Sequence, residues 1–268
     1  MDLVTLHEIG KGFSDLLKLK TMPLGCNFFK KKEDIPSEYL LPDKRKVICN
    51  MIGLSRYYGI GVAVTKEMTV GMCAVADISL GMGKKPDDHA ERTVGAFAKN
   101  IEETKKLFND MKSIGEGKYA AIGACPLDKI PVLPDVVQIW GNPLQMLELE
   151  YAHTWCWGDG RVELSSNGHG GSCYEVLTWP VVDNAVRMAV ADMGDRRHGM
   201  AQDDEMIMGV PTGKLEQMYE GLVQTKKTLN RIPVLYNFDD IPFPVPEYVL
   251  EKSPEVGKKR IFDEEQGK

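Results

Sequence analysis

What most constrains the fold of this chain is its rhythm. Amphipathic helical stretches and short β-branched runs follow one another to about residue 230, without a strict strand–helix–strand alternation. Leu3, Leu6, Ile9, Phe13, Leu16 and Leu17 recur every three or four residues and predict a helix over the first twenty residues. Met22–Phe29 reads as a strand, and the charged, proline-bracketed stretch Lys30–Lys46 as a surface loop. A helix follows from about Arg45 to Tyr58, with Val47, Met51, Leu54 and Tyr58 as its core stripe and Cys49, Gly53 and Arg56 on the opposite side; Gly59 ends it. Gly61–Thr65 is a short strand and Val70–Leu80 a short helix carrying Cys73. A long helix is expected over Asp87–Ile114, with Val94, Phe97, Ile101, Leu107 (or Thr104) and Met111 facing inward.

The second half continues the pattern. Tyr119–Cys125 and Val136–Trp140 read as strands. Asn142-Pro143-Leu144-Gln145 opens a helix to about Trp155: Asn caps, Pro suits the first helical position, and Gln completes a capping box. A strand over Arg161–Ser165 leads to the glycine-rich run Asn167–Cys173, and Val186–Asp192 and Glu205–Val210 read as strands joined by a polar loop. Thr212–Leu229 is the last helix. The expected architecture is α+β: a single domain over residues 1–230, with a mixed sheet flanked by helices. Residues 231–268, with Pro233, Pro242, Pro244 and Pro246 and a charged end, read as an extended tail.

Composition narrows the class. A net charge of −6 argues against a nucleic-acid binder, which would carry a basic stripe. No apolar run approaches the roughly 18–20 residues of a membrane span, and Met1–His7 lacks the basic and apolar segments of a secretory signal. A cytoplasmic protein is therefore expected, with a small-molecule substrate, no nucleic-acid or membrane partner, and assembly as a homo-oligomer. A chain of 268 residues with a full core does not need its six cysteines as disulfide staples. Cys26 and Cys125 sit in strand-like runs and read as small buried hydrophobes.

Cys49, Cys73 and Cys173 differ, each lying among small residues at a turn or helix end. Cys173 closes Asn167-Gly168-His169-Gly170-Gly171-Ser172-Cys173, where glycines would let backbone approach a ligand closely. Asp195-Arg196-Arg197-His198 and Asp203-Asp204-Glu205 form a dense charge cluster. A charge run is usually a solvated face. Its functional reading has Arg196 clamping an anionic or carbonyl group, oriented by Asp203, Asp204 or Glu205. Arg56, seven residues after Cys49, would stabilise a thiolate or make a surface ion pair. His153 reads as structural. Trp155, Trp157 and Trp179 read mainly as core, with an aromatic ligand wall as the other reading.

Several segments carry a resemblance. Pro134-Asp135-Val136-Val137-Gln138-Ile139-Trp140-Gly141-Asn142-Pro143-Leu144-Gln145 is similar to a hallmark of the family called domain of unknown function 169, DUF169. So are Gly170-Gly171-Ser172-Cys173, Gly194-Asp195-Arg196-Arg197 followed by Asp203-Asp204-Glu205-Met206 and Pro211, Cys49 heading a helix that ends Arg56-Tyr57-Tyr58-Gly59, and Cys73 followed by Leu80-Gly81. The resemblance spans roughly residues 15–225. It implies no activity, but its spread among anaerobic bacteria and archaea favours oxygen-sensitive chemistry. Cys26 and the turn Trp155-Cys156-Trp157 depart from the family pattern.

Three distant cysteines of that pattern meet the ligand count of a [4Fe–4S] cluster with one open iron acting as a Lewis acid in a lyase- or hydratase-like step. No close Cys-x-x-Cys pair announces such a cluster. With His169 the same thiolates would make a Cys₃His zinc site. Alternatively, no cofactor is bound and Cys173 is a nucleophile, its pKa lowered by a helix N-terminus and His169 its base. The remaining alternative is a non-catalytic small-ligand or sensor module. No nucleotide-binding, serine-hydrolase or zinc-protease motif is present.

Overall fold

The computed structural model describes residues 1–83, 91, 95, 98–109, 111–158, 161–164, 166 and 168–228. Among these, Met1–Thr228 belong to one compact α+β unit. In chain order the elements are α1 (Leu3–Leu17), β1 (Leu24–Phe29), β2 (Tyr39–Leu40), α2 (Ile48–Tyr58), β3 (Gly61–Thr65), α3 (Lys66–Thr69), α4 (Ala74–Ser79) and α5 (Ile101–Asn109). Then come β4 (Ala121–Pro126), β5 (Val136–Gly141), α6 (Pro143–Trp157), β6 (Glu163–Leu164), a π-helical segment (Gly171–Thr178) running into α7 (Trp179–Asp183), β7 (Arg187–Val190), α8 (Met193–Gly199), β8 (Met206–Pro211) and α9 (Thr212–Thr228). Among the described residues no helix is long and apolar enough to cross a membrane.

All eight strands form one mixed sheet in the order β2-β3-β4-β1-β5-β8-β7-β6. β2–β3 and β6–β7 pair in parallel and the other neighbours antiparallel. Because side chains alternate along a strand, the sheet builds two cores. Cys26, Phe28, Val62, Val64, Ile122, Ala124, Val136 and Trp140 pack with α2, α4, α5 and the π-helical segment. Phe29, Ala63, Ala121, Cys125, Val137, Ile139, Met208 and Val210 pack with α1, α6 and α9. The capping box that opens α6 is formed: Asn142 Oδ1 accepts from the Gln145 N–H (3.0 Å), and Gln145 Oε1 accepts from the Asn142 N–H (2.7 Å).

Three expectations are corrected. The second side of α2 is not exposed: Cys49, Gly53 and Arg56 are buried, whereas Tyr58 is 67% exposed. The cause is α8, which forms inside the presumed polar loop and crosses α2 where glycine faces glycine. A Cβ on Gly53 would lie 2.8 Å from the Gly199 carbonyl oxygen. The long helix does not reach Ile114; its described part, α5, is held by Thr104 and Phe108 rather than Ile101, which is at the surface. Val94, Phe97, most of residues 87–97 and the proposed tail 231–268 lie outside the described residues.

Candidate functional site

Cys49 lies in the first turn of α2, Cys73 immediately precedes α4, and Cys173 is the third residue of the π-helical segment. These elements share one face of the sheet, and the three thiols line a single cavity of about 150 Å³. None is in a disulfide. Their mutual electrostatics reflect the convergence. Burial pushes the Cys173 thiol well above its ordinary pKa, and Cys49, Cys73, Asp192 and Asp195 push it further. Burial likewise raises Cys49, joined by Asp195, Asp192 and Cys73. Cys73 is raised by burial but partly relieved by the N–H groups of Ala76 and Val75. The expected lowering of the Cys173 pKa at a helix start is thus corrected: desolvation and surrounding negative charge outweigh it.

Two glycines of the run, Gly168 and Gly170, are among the residues lining the cavity, and others pack against the protein itself. Gly170 has φ +74° and sits against Val75, whose Cγ1 would be 2.6 Å from a Cβ there. A Cβ on Gly171 would meet Asp195 Oδ2 and the Val190 carbonyl, both at 2.7 Å. These close approaches are to the protein's own side chains and backbone. The Gly170 carbonyl accepts from both Tyr174 (2.7 Å) and Glu175 (2.9 Å), the wide turn that opens the π-helical segment.

Around the thiols the lining is soft and polar. His169 and His198 contribute imidazoles, Met72 and Met193 thioethers, and Asp192 a carboxylate. Burial lowers the His169 pKa, against the opposing charge of Asp192, favouring its neutral form. Asp195, behind the cavity, is buried and raised to about 7 by desolvation and by Asp192. It accepts hydrogen bonds from the Ser172 hydroxyl, the Ser172 N–H (3.0 Å) and the Asp192 N–H (3.2 Å). Asp192 accepts from the Gly170 and Asp195 N–H groups, so α8 and the cysteine turn are tied together. Among the described residues, no three His, Cys, Asp or Glu side chains form a group that could hold a metal ion as they stand.

Of the residues singled out in sequence, Cys49, Cys73, Cys173 and His169 come together. Arg196 is not among those lining the cavity. Its guanidinium donates to the Gln202 carbonyl (2.9 Å) and approaches Asp203 (3.4 Å). Asp204 pairs with Lys20, and Glu205 takes Arg56 in a buried pair at 2.5 Å, neither beside a thiolate nor at the surface. Trp155 is half exposed, Trp157 packs on His153, and Trp179 lies between Lys112 and Arg187, so none lines the cavity. Sequence reasoning gave no role to Asp192 or to Asp195, the latter named with His198 only within the charge cluster; Met72 and Met193 were not singled out, and Gln138 stood only within a family-like segment. The Asp-x-x-Asp spacing of an N-terminal capping box was the available signal for the first two.

No curated protein and no solved structure matches the chain. A family model does: DUF169, described as uncharacterised ArCR, matches residues 12–221, a span containing all three cavity cysteines, Gln138 and Asp195. The chain belongs to the DUF169 family.

Proposed function

We propose that the protein is an oxygen-sensitive iron–sulfur enzyme. In this reading Cys49, Cys73 and Cys173 hold a [4Fe–4S] cluster and leave one iron open to a small organic molecule bearing a carbonyl or anionic group. The observation that carries the reading is the meeting of three thiols from distant parts of the chain on one cavity. Burial and two carboxylates make these thiolates costly by themselves. A bound cationic centre reverses that logic, because coordination deprotonates a thiol outright. Three cavity thiols meet the ligand count of a cluster that leaves one iron open.

When bound, the cluster would supply Lewis acidity for a lyase- or hydratase-like step. The chain's own groups would do the rest. His169, whose pKa burial lowers, would offer an imidazole nitrogen at the cavity for proton transfer. Met72 and Met193 at the rim offer apolar surface to a small organic molecule. Arg196 is not carried forward as the substrate anchor, since its guanidinium is engaged at Gln202 and Asp203.

The test is iron and acid-labile sulfide per chain, with a visible spectrum, on protein purified without oxygen. The expected result is about four of each per chain, lost together in Cys173→Ala. Colourless, metal-free protein from that preparation overturns the reading.

A further inference from the structure

Three of the segments that carry the family resemblance meet at one residue, Ser172. From β5, the fully buried Gln138 donates through Nε2 to the Ser172 carbonyl at 2.6 Å, and its Oε1 accepts from the Trp140 indole N–H at 3.3 Å. From α8, Asp195 accepts from both the N–H and the hydroxyl of Ser172. The backbone and side chain of the residue preceding Cys173 are therefore held by two elements, the sheet through Gln138 and α8 through Asp195. Gly171 is the condition for this grip, because any Cβ there would strike Asp195.

We infer that Gln138 and Asp195 are positioning residues for Cys173: they fix Ser172 and so aim the adjacent thiol into the cavity. The inference builds on the cluster reading. Groups behind a metal ligand set its orientation, and their loss typically costs tenfold or more in metal affinity. Neither residue lines the cavity, so neither is assigned contact with substrate.

The experiment compares Gln138→Met, which keeps side-chain bulk but loses the donor, with Asp195→Asn, in anaerobically purified protein. Glu148→Gln, which breaks the Glu148–Lys226 pair between α6 and α9 on the other face of the sheet, serves as a control for lost stability alone. The readouts are the rate of iron loss to a chelator, the EPR spectrum of the reduced cluster and the melting temperature. The expected result is iron loss about tenfold faster or more, with an altered EPR spectrum, in both the Gln138 and the Asp195 variant. The control should melt lower but keep the wild-type spectrum and chelation rate. Wild-type spectra and rates in both variants, or changes equal to the control's, overturn the inference. Should the wild type contain no iron, only the cluster reading falls. The inference is then read from N-ethylmaleimide labelling of Cys173 by mass spectrometry: faster labelling in the two variants than in the control upholds it, and equal rates overturn it.

Discussion

At the scale of single residues, the buried pair Arg56–Glu205 shows what burial asks of a charge. Arg56 lies over the Trp140 ring, with its guanidinium carbon 3.8 Å from the ring centroid, and bonds Glu205 at 2.5 Å. The other Glu205 oxygen accepts from the Gln202 N–H at 2.8 Å. Removing one partner leaves a desolvated charge behind, so Glu205→Gln should cost about 3–5 kcal/mol in urea unfolding. A loss below about 1 kcal/mol would instead mark the pair as solvated. The sequence placed Arg56 on the outer side of α2, because periodicity names the more apolar face and is silent about what covers the other. Cys26 and Cys125 were legible for the opposite reason: each sits in a β-rich run with no polar demand. Both are buried, and Cys125 is pushed up to about 12.

At the scale of elements, local chemistry was readable and shape was not. The box at Asn142 and Gln145 depends on residues three apart and was recognisable in sequence. Asn142→Ala should cost about 1 kcal/mol of stability while leaving the cysteine cavity as it is, checked by unfolding and by cysteine labelling. The π-helical segment has no comparable signature. It is fitted to the sheet at Gly209 of β8, where any Cβ would collide with the Val176 carbonyl. Gly209→Ala should therefore cost about 1–3 kcal/mol and displace the segment that bears Cys173. The expected sign is greater labelling of Cys173 with no change at Cys26; equal labelling at both would show that the segment does not move.

For the whole molecule, the division of the sheet into two faces decides where chemistry is possible. α1, α6 and α9 close one face with apolar packing, while α2, α4 and the π-helical segment bring three thiols to the other. Cys26 and Cys125 lie in neighbouring central strands, paired as Cys26 with Ala124 and Gly25 with Cys125. They should be alkylated only across the global unfolding transition in urea, whereas half-buried Cys156, whose thiol donates to the Gln217 carbonyl at 2.9 Å, should react under native conditions. Labelling of Cys26 below the transition would show that the central strands open locally. The expected homo-oligomer is a separate proposal, tested by light scattering: a multiple of 29.9 kDa is expected, and the single-chain mass overturns it.

The sequence by itself determined the α+β class, most strands, the capping box that opens α6, the buried character of Cys26 and Cys125, and the choice of Cys49, Cys73 and Cys173 as a set. Each of these depends on neighbours along the chain: alternation, three-to-four spacing, or a residue type in a local run. Tertiary structure alone decided that the three thiols meet, that Asp192 and Asp195 stand behind them, that Arg196 faces elsewhere, and that Gln138 reaches Ser172. Those facts depend on which segments the sheet order and the α2–α8 crossing bring together, and contacts between residues far apart in the chain leave no periodicity in a single sequence.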